Sequence, residues 1–258
     1  MNQPPAKPSL SPEHLAATHT SELIGKRLRA GHKPDYLPDF IYGAIDGTVT
    51  TFAVVSGVAG AELSSTIVII LGLANLIGDG FSMAASNYMG TRVEGQLRDR
   101  ARIREGLEID AYPDGEREEI RQIYAQKGFT GNDLDQAVDV ITSDRQRWID
   151  TMVAEEMGIS LTYRSPWIAG LSTMIAFLIV GLIPLLPFVA VWLTSLELSA
   201  PYVVSSVMTG CAFFLVGAIK SRFVEQWWVW SGLETLVLGG SAAVSAYIVG
   251  WALRGIAV

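Results

Sequence analysis

From Ser165 to Leu196 the chain runs 32 residues without a single Asp, Glu, Lys or Arg. A helix needs about 20 mostly apolar residues to cross roughly 30 Å of hydrocarbon, so a run of this length belongs in a bilayer. Four more stretches meet the same criterion. Phe40–Ala61 carries only Asp46, Leu63–Gly90 only Asp79, Leu198–Ile219 no charge, and Gln226–Leu253 only Glu234. Pro184 and Pro187 predict a bend or break near the end of the third run. Five such runs in 258 residues predict an all-α polytopic membrane protein with five transmembrane helices.

The charges are scarce and crowded. Only 17% of residues are charged, against about 25% in soluble domains. They gather ahead of the first run and in a block between the second and third. This distribution excludes a disordered chain and an ordinary cytosolic enzyme. A disulfide-stapled module is excluded because Cys211 is the sole cysteine. A net charge of −7 argues against a nucleic-acid partner, which requires a basic face. The implied partner is the lipid bilayer, and the expected organisation is a cytoplasmic N-terminal segment (1–38), two transmembrane helices (39–90), a small helical cytoplasmic insert (91–164), and three more transmembrane helices (165–258).

Loop charges orient the spans. No Lys or Arg lies between the first and second runs or around Glu197, whereas Lys26, Arg27, Arg29, Lys33, the arginine-rich block, Lys220 and Arg222 fall on the other side. The positive-inside rule therefore puts the N-terminus and the insert in the cytoplasm and, after five crossings, the C-terminus outside. The N-terminal segment lacks the apolar core of a cleavable signal peptide. Residues Pro12–Arg29 read either as an amphipathic helix on the membrane surface, with Leu15, Leu23, Ile24 and Leu28 towards lipid, or as an unstructured tail. With no targeting segment, a prokaryotic plasma membrane is the expected location, and a vacuolar membrane is the alternative.

Acids inside hydrocarbon cost at least about 2.5–3.5 kcal/mol each and mark functional positions. Asp46 sits in Gly43-Ala44-Ile45-Asp46-Gly47-Thr48-Val49-Thr50. Gly43 and Gly47 have the four-residue spacing that lets helix backbones approach, and Thr50 lies one turn beyond Asp46. In the second run Asn75, Asp79, Met83 and Asn87 recur every fourth residue, with Ser82 and Ser86 beside them. Oxygen donors suit hard divalent cations, and a thioether favours a borderline ion such as Fe²⁺. The stripe reads either as a metal pathway or as a hydrogen-bonded packing seam with Met83 filling a gap. Glu234 stands alone and reads as an interhelical group kept protonated by burial.

The insert holds 16 acids and 11 bases. Its first helix, Arg92–Ile109, presents Glu105 and Glu108 on one face. Tyr112-Pro113-Asp114-Gly115 should break it, and Glu116 and Glu119 repeat the spacing on a second helix that Gly128 ends. A hairpin there can bring the two pairs face to face, where four converging carboxylates repel unless cations neutralise them. Asp133–Ile141 predicts a third helix and Arg145–Gly158 a fourth, with Met152 and Glu156 one turn apart. The competing reading is a solvated acidic face. A ferritin-like di-iron oxidase would need Glu-x-x-His pairs, yet His14, His19 and His32 all precede the first run. Metal binding in the insert would rest on carboxylate and thioether and be reversible and fairly weak. An intramembrane hydrolase lacks both a His beside a Ser and a His-Glu-x-x-His motif.

In this order, Asp46-Gly47, Ser82-Met83, Arg104-Glu105 to Glu119 around Pro113-Asp114, Met152 with Glu156-Met157-Gly158, and Ile183-Pro184-Leu185-Leu186-Pro187 resemble the vacuolar iron transporter family from about Tyr42 to Leu253. The resemblance implies a homodimer of five-span subunits that moves Fe²⁺, often Mn²⁺ too, out of the cytosol in exchange for protons, and Zn²⁺ is a further candidate ion. These ions are substrates, and no cofactor is implied. Asp46 and Met83 of both subunits would form the transport site. Positions matching Glu105, Glu108, Glu116, Glu119, Met152 and Glu156 would bind metal. Two departures stand out. Asn75 occupies the position of a glutamate in the plant proteins, and Val153 replaces a second methionine after Met152. Asp79, on the stripe of Met83, is the expected substitute for the lost carboxylate. The rival reading is a membrane-anchored divalent-metal sensor or scaffold that transports nothing.

Overall fold

The computed structural model describes residues 11–31, 33–194, 198–224 and 226–256. Residues 1–10, His32, and Leu196 and Glu197 at the third span's end, lie outside the described residues. The chain is all-helical there. Two short helices come first, α1 (Pro12–Thr18) and α2 (Ser21–Ala30). The continuous amphipathic helix expected over Pro12–Arg29 is thus split. The reason is local: Thr20 caps α2 by accepting from the Leu23 amide, and an N-cap is by nature non-helical.

Five helices are long and apolar enough to cross a membrane. The first is α3 (Leu37–Gly60) and the second α4 (Ser65–Ala111). The insert continues with α5 (Pro113–Gln126), α6 (Gly131–Thr142) and α7 (Arg145–Glu155). The third crossing is α8 (Pro166–Gly181), a 3₁₀ turn (Ile183–Leu185) and α9 (Leu186–Thr194). The last two are α10 (Pro201–Val224) and α11 (Trp228–Leu253). The 3₁₀ turn is the break expected from Pro184 and Pro187, which lack the amide an α-helix needs. The Ser205 hydroxyl of α10 donates to the Pro184 carbonyl at 2.6 Å and satisfies an acceptor there.

The chain separates into two compact units, Met1–Tyr88 with Trp167–Val258, and Met89–Pro166. In the first, glycines set the helix contacts. A Cβ on Gly47 would lie 2.6 Å from the Phe177 carbonyl, and one on Gly181 would lie 2.8 Å from the Gly47 carbonyl. Gly43 meets the Thr173 carbonyl in the same way, so α3 and α8 touch backbone to backbone. Gly170 of α8 rests against Ala84 of α4 from the other direction, and Gly250 of α11 against Gly57 of α3. Val55, Val58, Val68, Leu185 and Phe188 close a core near the α3–α4 turn. In the second unit Ile120, Val138, Ile141, Trp148, Ile149, Met152 and Val153 form the core.

The insert departs from expectation at its edges. The break before α5 is one residue, Tyr112, rather than a four-residue turn, because Pro113 already fits the first helical position. Gly128 takes φ +98° beyond α5, the left-handed geometry that ends a helix. The last insert helix stops at Glu155, three residues short of Gly158, which itself takes φ +65°.

Candidate functional site

Within the first unit, α3 carries Asp46 and α4 carries Asp79. Asp46 and Asp79 are both half-buried, and their charges repel each other. The close approach of Gly43 and Gly47 to α8 leaves Asp46 on the flank of that contact. The Thr50 hydroxyl donates to the Asp46 main-chain carbonyl at 2.9 Å, which leaves the Asp46 carboxylate to other partners.

The stripe on α4 splits into parts with different surroundings. Met83 and Asn75 are half-buried, and the Asn75 amide nitrogen finds no hydrogen-bond partner among the described residues. Ser82 and Ser86 lie on the exposed side of the helix. Asn87 is the hub of a seam: its amide donates to the Thr173 hydroxyl at 2.7 Å, the Asp39 carboxylate at 2.9 Å and the Ala169 carbonyl at 3.2 Å. Asn87 therefore matches the packing-seam reading. Asp39 is buried, and sequence reasoning missed it because the first apolar run was started one residue later. Its signal was present, since it stands seven residues, two helical turns, before Asp46 on the same face.

Glu234 is the interhelical group expected of it, but it is not buried. It is exposed and pairs with Lys220 of α10 at 3.3 Å. Cys211 is free and exposed.

The second unit gathers its glutamates. Glu105 of α4 is 1% exposed and Glu116 of α5 is 8% exposed. One oxygen of each, Oε2, has no hydrogen-bond partner among the described residues. Glu105 stands beyond the membrane-crossing part of α4. Burial, then repulsion from Glu156, Glu116, Glu108 and Glu119, pushes its carboxyl up to about 7. Burial and the charges of Glu119, Glu108 and Glu156 push Glu116 up as well. Glu156 rises for the same reasons, opposed by Arg104, which pairs with Glu108 at 2.9 Å. The hairpin thus brings both glutamate pairs and Glu156 into one mutually repelling set. Met152 is fully buried in the adjoining core. Among the described residues no three Asp, Glu, His or Cys side chains already converge on one point as ligands. Such a set is disposed to take up positive charge, whether protons or a cation drawn between its members.

The model of the VIT family matches residues 37–251. The vacuolar iron transporter of Toxoplasma gondii (strain ATCC 50861 / VEG) is 31% identical over 256 residues, covering 94% of this chain and 84% of the relative. Vacuolar iron transporter 1 of Arabidopsis thaliana is 30% identical over 242 residues, covering 93% and 92%. The vacuolar iron transporter of Centaurea cyanus is 31% identical over 211 residues, covering 81% and 84%.

Proposed function

This chain belongs to the VIT family, and from that premise we propose that it carries Fe²⁺, and with it Mn²⁺ or Zn²⁺, out of the cytosol in exchange for protons. The observation that carries the reading is that two half-buried acids, Asp46 and Asp79, sit on two different membrane-crossing helices near enough to repel. Two acids in hydrocarbon are tolerated when a cation or a proton offsets their repulsion. Exchange then needs nothing more than alternation: metal displaces protons when the site faces the cytosol, and protons displace metal when it faces the other side. Met83 would favour Fe²⁺ over Mg²⁺ through its thioether. Asn75, whose amide group also has a carbonyl oxygen, supplies a neutral donor where a third carboxylate would bind the ion too firmly to release it. Thr50 stands one turn beyond Asp46 on the pathway side of α3, while Asn87 acts beside the pathway by fixing Asp39 and Thr173.

In the same reading Glu105, Glu108, Glu116, Glu119, Met152 and Glu156 gather metal from the cytosol, and a second copy of the chain completes the pathway as a homodimer in a prokaryotic plasma membrane. The test is radiometal flux in proteoliposomes. Fe²⁺ uptake from the insert side should require an acidic opposite compartment, fall to background in Asp46→Ala, and be competed by Mn²⁺ more than by Mg²⁺. Undiminished flux in Asp46→Ala overturns the site assignment. Metal binding by the wild-type protein without any flux would leave the anchored-sensor reading instead.

A further inference from the structure

The second unit contains a pocket of about 340 Å³ that has no part in the glutamate cluster. Its polar walls are Thr91, Glu94 and Arg98 from α4 and Ser160, Thr162 and Arg164 from the segment after α7. Arg98 is the informative group. It is 9% exposed, yet its guanidinium is only loosely engaged. Nη1 donates to the Thr162 carbonyl at 3.3 Å, and Nε and Nη2 reach the Asp99 carboxylate at 3.4 and 3.3 Å. Charge-assisted bonds normally close to about 2.7–2.9 Å. Asp99 is itself 67% exposed in its side chain, so water shares its charge. The Arg98 guanidinium carbon lies over the Tyr163 ring, 5.5 Å from its centroid. A buried, oriented arginine fork with slack partners, facing a cavity that a second arginine also lines, suits a tetrahedral anion with paired oxygens.

The source of that anion follows from where the walls sit in the chain. Thr91 to Arg98 are the first two turns after the second apolar run, and Ile159 to Arg164 end immediately before the third. The pocket is therefore built from the residues next to the hydrocarbon edge on the insert side. Side chains on α4 tilt towards the helix N-terminus, which here is the membrane end. Tyr163 is 64% exposed and Trp167 74% exposed, as expected of aromatics at a membrane–water boundary. Leu97 and Ile159 complete the lining with apolar surface. We propose that this pocket binds the phosphodiester headgroup of an anionic phospholipid, with Arg98 and Arg164 on the phosphate and Ser160 and Thr162 at its hydroxyl-bearing end.

The full-length protein in nanodiscs of phosphatidylcholine, with and without phosphatidylglycerol, tests this. Phosphatidylglycerol should raise the melting temperature of the wild type and stay attached in native mass spectrometry. Arg98→Gln with Arg164→Gln should lose that rise and weaken retention roughly tenfold or more. Because Arg98 is buried, the readout is the difference between the two lipid compositions, not the absolute stability. Glu94→Gln, which removes the one carboxylate lining the pocket, should tighten retention, an effect that a merely structural arginine would not produce. Arg222→Gln, at the end of α10, should change neither. Equal phosphatidylglycerol responses in wild type and double variant overturn the proposal. So does full stabilisation of detergent-solubilised protein by inorganic phosphate alone, which would make free phosphate the ligand.

Discussion

Glu105 sits in an environment at odds with what its type prefers. It is all but sealed from solvent, one oxygen lacks a partner among the described residues, and four other glutamates repel it. Its carboxyl rises from an ordinary 4.5 to about 7, so the folded chain holds this proton more firmly than the unfolded chain does. Stability from this group is complete below pH 4.5 and is lost as pH climbs through 7. With chelator present, the melting temperature in detergent should therefore fall between pH 5 and 8, and Glu105→Gln should flatten that fall and melt higher at pH 8. Adding Mn²⁺ should recover the wild type at pH 8 and do less for the variant. An unchanged pH slope in Glu105→Gln would show that the burial has no electrostatic consequence. The i, i+3 spacings of the glutamates were legible in the sequence, but the depth at which each sits was not. Spacing fixes the face of a helix, whereas burial depends on what packs over that face. Asp39 makes the same point: its register with Asp46 was readable, but its bond to Asn87 required three helices to meet.

At the scale of helices, glycine separates close crossings from open faces. Gly47 has no room for a methyl group against the Phe177 backbone, whereas a Cβ on Gly78 would meet nothing within 4 Å. Gly47→Ala should cost about 1–3 kcal/mol, because overpacking pushes rigid backbones apart. Gly78→Ala should be neutral or stabilise by about 0.5–1 kcal/mol, the gain expected of alanine inside a helix. Thermal melting of both variants in one detergent checks the contrast, and equal destabilisation would deny the α3–α8 contact. The spacing of Gly43 and Gly47 announced a close approach but not its partner, which is α8. The proline break in the third crossing was readable because a missing amide acts locally. The division of the N-terminal segment into α1 and α2 was not, since a polar amphipathic stretch reads alike whether or not Thr20 interrupts it as a cap.

For the whole molecule the remaining question is sidedness. In a Cys211→Ser background, Ser64→Cys in the α3–α4 turn and Asp133→Cys in the insert should react with an impermeant thiol reagent from opposite faces of sealed vesicles. Labelling of both from one face would contradict the five-crossing arrangement. The number and length of the crossings, the insert between the second and third, and the candidate acids were all determined by the sequence. Transfer of a helix into hydrocarbon is an additive property of its residues and needs no knowledge of its neighbours. The repulsion between Asp46 and Asp79, the removal of Asn87 into a seam with Asp39 and Thr173, the ion pair of Glu234 with Lys220 and the sealing of Glu105 were decided only by the tertiary structure. Each of these is a relation between side chains on different helices, set by which faces the small residues allow to touch, and no single segment carries that information.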